Sequence, residues 1–334
     1  MSLIRGDAGA PESLPGFVNS LAASARQVGS PAMIWFAGLA YQMVVIGPGF
    51  GTVVLSRLDP GQRFGKAARS NDALDFLPGV EGMLRSLIDR GPTGVLIAIP
   101  AVFALFRLAG GLAAVASLEG WRKAIRGDRP PALGSAMHAG RGITRSGLGL
   151  YLLFGVMVLT ATLIFMGPPT VVLKQLDEKH GLAFAIEVFQ KLATGVLAVY
   201  GFLLTVLFQL ALHSLAQNRR GVGSALLHSW RIARNDPFAT ARATMVDLVV
   251  YLTIWVMVAP FELWVVKSQV PDVVRMVLIA ALIGFGGCVR CAFWARAYQI
   301  LGGPSTWSDE ESVGSVDPVE ETTGESTGSG RVSR

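Results

Sequence analysis

Six apolar stretches, each long enough to cross a bilayer and nearly free of charge, constrain this chain more than any other feature. They cover residues 33–55, 94–118, 147–172, 192–215, 245–266 and 273–293. A hydrocarbon core of about 30 Å needs roughly 20 consecutive apolar residues in a helix. A helix that is apolar all round has no face to give to water. The first stretch has no charged residue, the second has Arg107, the fifth has Asp247 and Glu262, and the sixth has Arg275 and Arg290. Only 16% of the 334 residues are charged, against about 25% in ordinary soluble domains. The expected fold is an all-α, polytopic transmembrane helical bundle of six spans, filling residues 31–302.

Three regions differ in kind. Residues 1–30 are mixed and polar, with no cleavable leader pattern, so the first span is expected to act as an uncleaved signal anchor. Residues 56–93 hold six basic and five acidic side chains. Within them Leu77, Val80, Leu84 and Ile88 are spaced for an amphipathic helix on the outer leaflet. Residues 303–334 are rich in Ser, Thr, Gly and Glu, with seven acidic residues from Asp309 to Glu325. That composition cannot bury a core and reads as a disordered cytoplasmic tail.

Basic residues set the orientation. Arg122, Lys123, Arg126, Arg129, Arg141 and Arg145 lie between spans two and three, with only Glu119 and Asp128 opposing them. Arg219, Arg220, Arg231, Arg234 and Arg242 lie between spans four and five, with only Asp236. Both segments are expected in the cytoplasm, and with six spans both termini follow. Alanine-, glycine- and arginine-rich connections suggest a bacterial inner membrane. The net charge of +6 belongs to these segments. No aromatic-lined or groove-entering module accompanies it, so nucleic acid is not an expected partner.

A recurrence runs through the chain. Before each odd-numbered span sits a short amphipathic segment ending in arginine: residues 14–26, 131–145 and 223–234. Ser135-Ala136-Met137 precedes Arg145 at the spacing with which Ser224-Ala225-Leu226 precedes Arg234. Arg107, Leu204 and Arg290 each lie eleven residues before a leucine: Leu118, Leu215 and Leu301. The pattern reads as three copies of interfacial helix, span, connection, span. Chance likeness among apolar helices is the competing explanation. An interfacial helix places leucine and alanine at the acyl boundary and arginine at anionic headgroups, so three would form a basic collar.

With residues 224–237 carrying most of the likeness, this layout resembles the glycerophosphodiester phosphodiesterase membrane domain of bacteria. The resemblance covers roughly residues 10–303. It implies a membrane module, sometimes fused to a soluble catalytic domain. No such domain lies in this sequence, so neither the phosphodiesterase activity nor any catalytic residue carries over.

Specific chemistry is sparse. Cys288-Val-Arg-Cys291 has CxxC spacing, but no histidine or further cysteine accompanies it, and Ala280, Gly284 and Cys288 form a small-residue stripe suited to close helix contact. Gln209 and His213, four apart, share a face of span four and are candidate polar intramembrane residues. His138 and His228 fall in interfacial segments. Arg107 and Arg290, with Arg145 and Arg234, are the candidate anion- or lipid-binding residues. Arg107 is deep if the core ends at Leu118, and snorkels if it ends near Gly111. Asp247, read as near the cytoplasmic start of span five, can pair with either arginine; Glu262 is read as interfacial. Walker, HExxH and GxSxG patterns are absent, and no cofactor or metal is expected.

Three functions remain open. One is a non-enzymatic module binding anionic lipid or a protein partner through its basic face. Another is a transporter or lipid-handling protein with an anion pocket at Arg107 and Arg290. The last, an intramembrane lipid enzyme, needs acidic or histidine side chains converging at one depth.

Overall fold

The computed structural model describes residues 13–27, 36–45, 91–116, 133–180, 183–218, 221–265 and 272–303. The amphipathic helix expected within residues 56–93 and the acidic tail beyond Gly303 lie outside them. The described residues are nearly all helical: α1 (Leu14–Gln27), α2 (Phe36–Val45), α3 (Pro92–Val115), α4 (Leu133–Ala139), α5 (Thr144–His180), α6 (Ala183–Asn218), α7 (Val222–Asn235), α8 (Pro237–Val265) and α9 (Asp272–Ile300). Five are long and apolar enough to cross a membrane, over Pro92–Val115, Thr144–Phe165, Lys191–Asn218, Pro237–Val258 and Val277–Ile300. The described part of the first span is the shorter apolar helix Phe36–Val45.

Local sequence sets the helix starts. Pro92 stands in the first turn of α3, after Gly91 at φ 79°. There its missing N–H costs nothing and its fixed φ suits the helix. Asp236-Pro237 divides α7 from α8: Asp236 accepts the Ala239 N–H on Oδ1 at 2.8 Å, capping α8 as a short acidic side chain does. Helix α9 ends on Gly302, at φ 80°, and Gly303. The Gly303 N–H reaches the Tyr298 carbonyl at 2.9 Å and the Gly302 N–H reaches that of Gln299 at 3.2 Å. This paired closure consumes two otherwise orphaned carbonyls.

Spans three and four differ from expectation where the chain passes from one to the other. The described residues of the connection expected over 173–191 are all helical; Gly181 and Leu182 lie outside them. Helices α5 and α6 have 37 and 36 residues, about 54–56 Å each at 1.5 Å per residue, so both outrun a bilayer core. Lys174, Lys179, Glu187 and Lys191 ride on these extensions. Lys and Glu are good helix formers, so a helix need not stop where its apolar run stops. Helix α5 also continues through Pro168 and Pro169.

The packing is inside-out relative to a soluble protein. Leu96, Leu152, Leu163, Val199, Val249, Val256 and Val277 are each more than half exposed, while Gln42, Gln209, His213, Asp247 and Arg290 are buried. So broad an apolar surface does not stand in water; with ionisable groups turned inward it is the surface of a chain in lipid. The protein is a multi-pass α-helical membrane protein.

One relation recurs three times. Helix α4 packs on α3, α7 packs on α6, and α1 packs on α9. Each even-numbered span thus carries one interfacial helix, and the last span takes the helix from the N-terminal end, which closes the ring. Phe17 of α1 is fully buried, edge-on to Phe293 of α9. At the α3–α4 crossing a Cβ on Gly111 would strike the Ala136 carbonyl, and one on Gly140 would strike that of Arg107. Between α2 and α9, a Cβ on Gly38 would strike the Gly284 carbonyl and stand 2.6 Å from Cys288 Sγ, and one on Gly287 would strike the Gly38 carbonyl. Gly284 and Cys288 of the small-residue stripe, with Gly287 beside them, are therefore where α2 docks. Cys288 and Cys291 are buried and not joined in a disulfide, and among the described residues no group of three or more His, Cys, Asp or Glu could hold a metal.

Candidate functional site: a buried polar centre and a basic interfacial face

Two groups of polar side chains stand apart from the apolar packing. The first lies inside the bundle. Arg290 and Asp247 form a bidentate pair, with Nε to Oδ1 and Nη2 to Oδ2 both at 2.6 Å. The fork of a guanidinium matches a carboxylate in this way. Arg290 Nη1 also donates to Gln42 Oε1 at 2.8 Å, and the guanidinium carbon stands 5.4 Å from the centre of the Tyr251 ring. Tyr251 is one helical turn beyond Asp247 and so shares its face. Three spans meet here: α2, α8 and α9.

The position of this pair along its helices differs from the sequence reading. Asp247 was expected near the start of span five and Arg290 near the end of span six. Asp247 lies ten residues after Pro237 and eighteen before Val265; Arg290 lies eighteen after Asp272 and ten before Ile300. At 1.5 Å per residue each is at least about 15 Å from either end of its helix. The cause is that α8 begins at Pro237 and α9 runs to Ile300, past polar residues that had been assigned to connections.

Beside the pair, Tyr41 of α2 donates its hydroxyl hydrogen to Gln209 Oε1, and the same oxygen faces His213 Nε2 at 3.3 Å. With that hydrogen committed, the Tyr41 oxygen is left to accept, and a bond from His213 requires the tautomer with its proton on Nε2. Gln209 and His213 do share a face of α6, and it is turned inward: both are wholly buried. Sequence reasoning passed over Tyr41, Gln42 and Tyr251. The signal for two of them was present, because Gln42 and Tyr41 are adjacent polar residues in a charge-free span.

Arg107 lies elsewhere. Its Nε donates to the Met137 carbonyl at 2.6 Å. Met137 sits in the last turn of the short helix α4, where carbonyls lack intrahelical partners, and a cation there also suits the helix dipole. Arg107 and Arg290, which the alternative transporter reading put in one anion pocket, thus have separate partners, and Asp247 belongs to Arg290. Arg296 makes a contact like that of Arg107, donating from Nη1 to the Ser20 carbonyl of α1 at 3.1 Å. In two of the three units, then, an arginine of the even span holds a backbone carbonyl of its interfacial helix.

The second group lies on α7 and the start of α8. Helix α7 buries Ala225, His228, Ser229 and Ile232, the one-face spacing of an amphipathic helix. Its other face exposes Leu227, Trp230, Arg231 and Arg234, and Phe238 and Arg242 follow on α8. Arg141 and Arg145, at the α4–α5 junction, are exposed too, so Arg145 and Arg234 both lie on the surface. His228 Nε2 donates to the Gly303 carbonyl at 2.8 Å, with its ring edge-on to Tyr298. Burial holds its pKa below the usual 6.5 and the neighbouring Arg231 adds to this, while the bond to Gly303 works the other way. His228 thus ties the end of α9 to the inner face of the exposed basic helix.

No protein-family model matches this chain, and neither a curated protein nor a solved structure does. The likeness of layout noted in the sequence therefore supplies no residue roles.

Proposed function

We propose that this protein is a non-enzymatic membrane module that binds anionic lipid headgroups through its basic interfacial helices. The observation that carries this reading is the exposed face of α7 and early α8, where Leu227, Trp230 and Phe238 alternate with Arg231, Arg234 and Arg242. Tryptophan at the headgroup level and arginine beside it are the two signatures of an interfacial anchor. Each cation near an anionic surface is worth about 1 kcal/mol. Arg141 and Arg145 extend the same chemistry to a second unit. The module sits in the bacterial inner membrane with this basic side, and both termini, in the cytoplasm. A protein partner carrying acidic groups would use the same face.

Transport around an anion pocket at Arg107 and Arg290 has less support. Arg290 is neutralised by Asp247 and further engaged by Gln42, which leaves little attraction for an outside anion. Native mass spectrometry of the purified protein titrated with phosphatidylglycerol separates the two. Arg231→Gln with Arg234→Gln is expected to remove bound phosphatidylglycerol. Unchanged binding in that variant, with loss in Arg107→Gln, would refute the interfacial reading.

A further inference from the structure

The acidic run of residues 309–325 follows, in sequence, a glycine that is held against α7. Gly303, the last described residue, is held by His228 of α7. On the same helix, Arg231 and Arg234 follow His228 by three and six residues, about 4.5 and 9 Å along the axis. The sequence that leaves this point carries seven acidic residues, Asp309, Glu310, Glu311, Asp317, Glu320, Glu321 and Glu325, before its only basic ones, Arg331 and Arg334. Asp309 is six residues past Gly303, and six residues reach at most about 20–22 Å. The whole acidic run can therefore reach the exposed arginines of α7 and α8. So short a tether gives an effective concentration on the order of millimolar.

We propose that the acidic segment from Asp309 to Glu325 docks on the α7–α8 arginines and competes there with anionic headgroups. The competition with headgroups rests on the lipid-binding reading above; the docking does not. A tail held in this way sets a threshold. Sparse anionic lipid is outcompeted by the tethered carboxylates, and lipid rich in anionic headgroups displaces them. The contact is between exposed charges, so it weakens with salt.

Two measurements on the full-length protein test this. In the first, the chain bearing Arg234→Lys, in phosphatidylcholine nanodiscs, is treated with a zero-length carbodiimide, and cross-linked peptides are read by mass spectrometry. Amide links from residue 234 to acidic residues between 309 and 325, lost in about 0.5 M salt, are expected. Their absence at low salt would overturn the docking. In the second, all seven acids are changed to their amides and phosphatidylglycerol binding is titrated. Binding at least about threefold tighter is expected, with the gain abolished when Arg231→Gln and Arg234→Gln are added. If the arginine changes weaken lipid binding but neutralising the tail does nothing, the competition fails and the lipid reading stands. If the arginine changes leave lipid binding intact even with the tail neutralised, the lipid reading fails, and the cross-links alone decide the docking.

Discussion

The Arg290–Asp247 pair gives the sharpest test of how this bundle is held together. Removing one partner of a buried ion pair leaves an uncompensated charge and costs about 3–5 kcal/mol. Arg290→Met would strand Asp247, and Asp247→Leu would strand Arg290 with both of its 2.6 Å acceptors gone. Either single change should therefore lower the folded-to-unfolded ratio by about two to three and a half decades, at 1.4 kcal/mol per decade. The double change removes both charges and leaves side chains of similar volume, which is often neutral or mildly stabilising. Gln42 Oε1 would lose its donor in the double variant, a loss of about 0.6 kcal/mol for an average intramembrane hydrogen bond. The double variant should then lie within about 1–2 kcal/mol of the wild type, with a coupling of several kcal/mol between the sites. Steric-trap unfolding in bicelles of the wild type, both singles and the double would measure this. Low and high salt should give the same coupling, because buried pairs are little screened. Additive singles, with the double as damaged as their sum, would refute the claim that these two groups satisfy one another.

Further expectations follow from the packing and the interfacial histidine. Gly38→Ala forces a Cβ onto the Gly284 carbonyl; because backbone cannot give way, it should cost at least about 1–3 kcal/mol, whereas Gly155→Ala on α5, with nothing within 4 Å, should be neutral or stabilising by up to about 1 kcal/mol, as unfolding titrations of each will show. Cys288 and Cys291 are buried, so a maleimide should label neither in the folded protein and both after denaturation; fast labelling of the native state would contradict the α2–α9 contact. The pKa of His228 is lowered on folding, so below about 6.5 the unfolded chain takes up more protons than the folded one. Its contribution to stability is complete above that pH and falls as the pH drops toward the folded-state value; His228→Gln should flatten this part of the pH profile. Gly302→Ala places a Cβ at φ 80° and should cost about 1–2 kcal/mol, visible as a lower unfolding midpoint.

Much of the fold was legible because lipid leaves few choices: long apolar runs must be helices. What was not legible were the helix ends. Charge content was used to place them, yet Lys174 and Glu187 extend helices as readily as leucine does. The same rule put Asp247 near the start of its helix, because the residues from Pro237 to Thr244 looked like a connection and instead form the helix's first turns. Gln209 and His213 were readable as one face from their spacing alone. The identity of the partner for Arg290 was not, since nothing local ties residue 290 to 247 or to 42. Arg107 matched Arg290 in position relative to a following leucine, yet serves a helix end rather than a carboxylate. Its setting depends on how closely α4 can approach, which Gly111 and Gly140 decide.

The docking of α1 on α9 has a consequence for biogenesis. Arg296 reaches the Ser20 carbonyl across 276 positions of chain. At synthesis rates of roughly 5–20 residues per second, that interval lasts about 14–55 s. Throughout it the first helix has been made and its resting place has not, so Phe17, fully buried in the end, must wait at the membrane surface or on a chaperone. A ribosome that stalls before span six leaves Phe17 uncovered, and with it Asp247 without its counter-ion. Truncated products therefore carry two separate marks for disposal, an uncovered aromatic ring and an unpaired carboxylate.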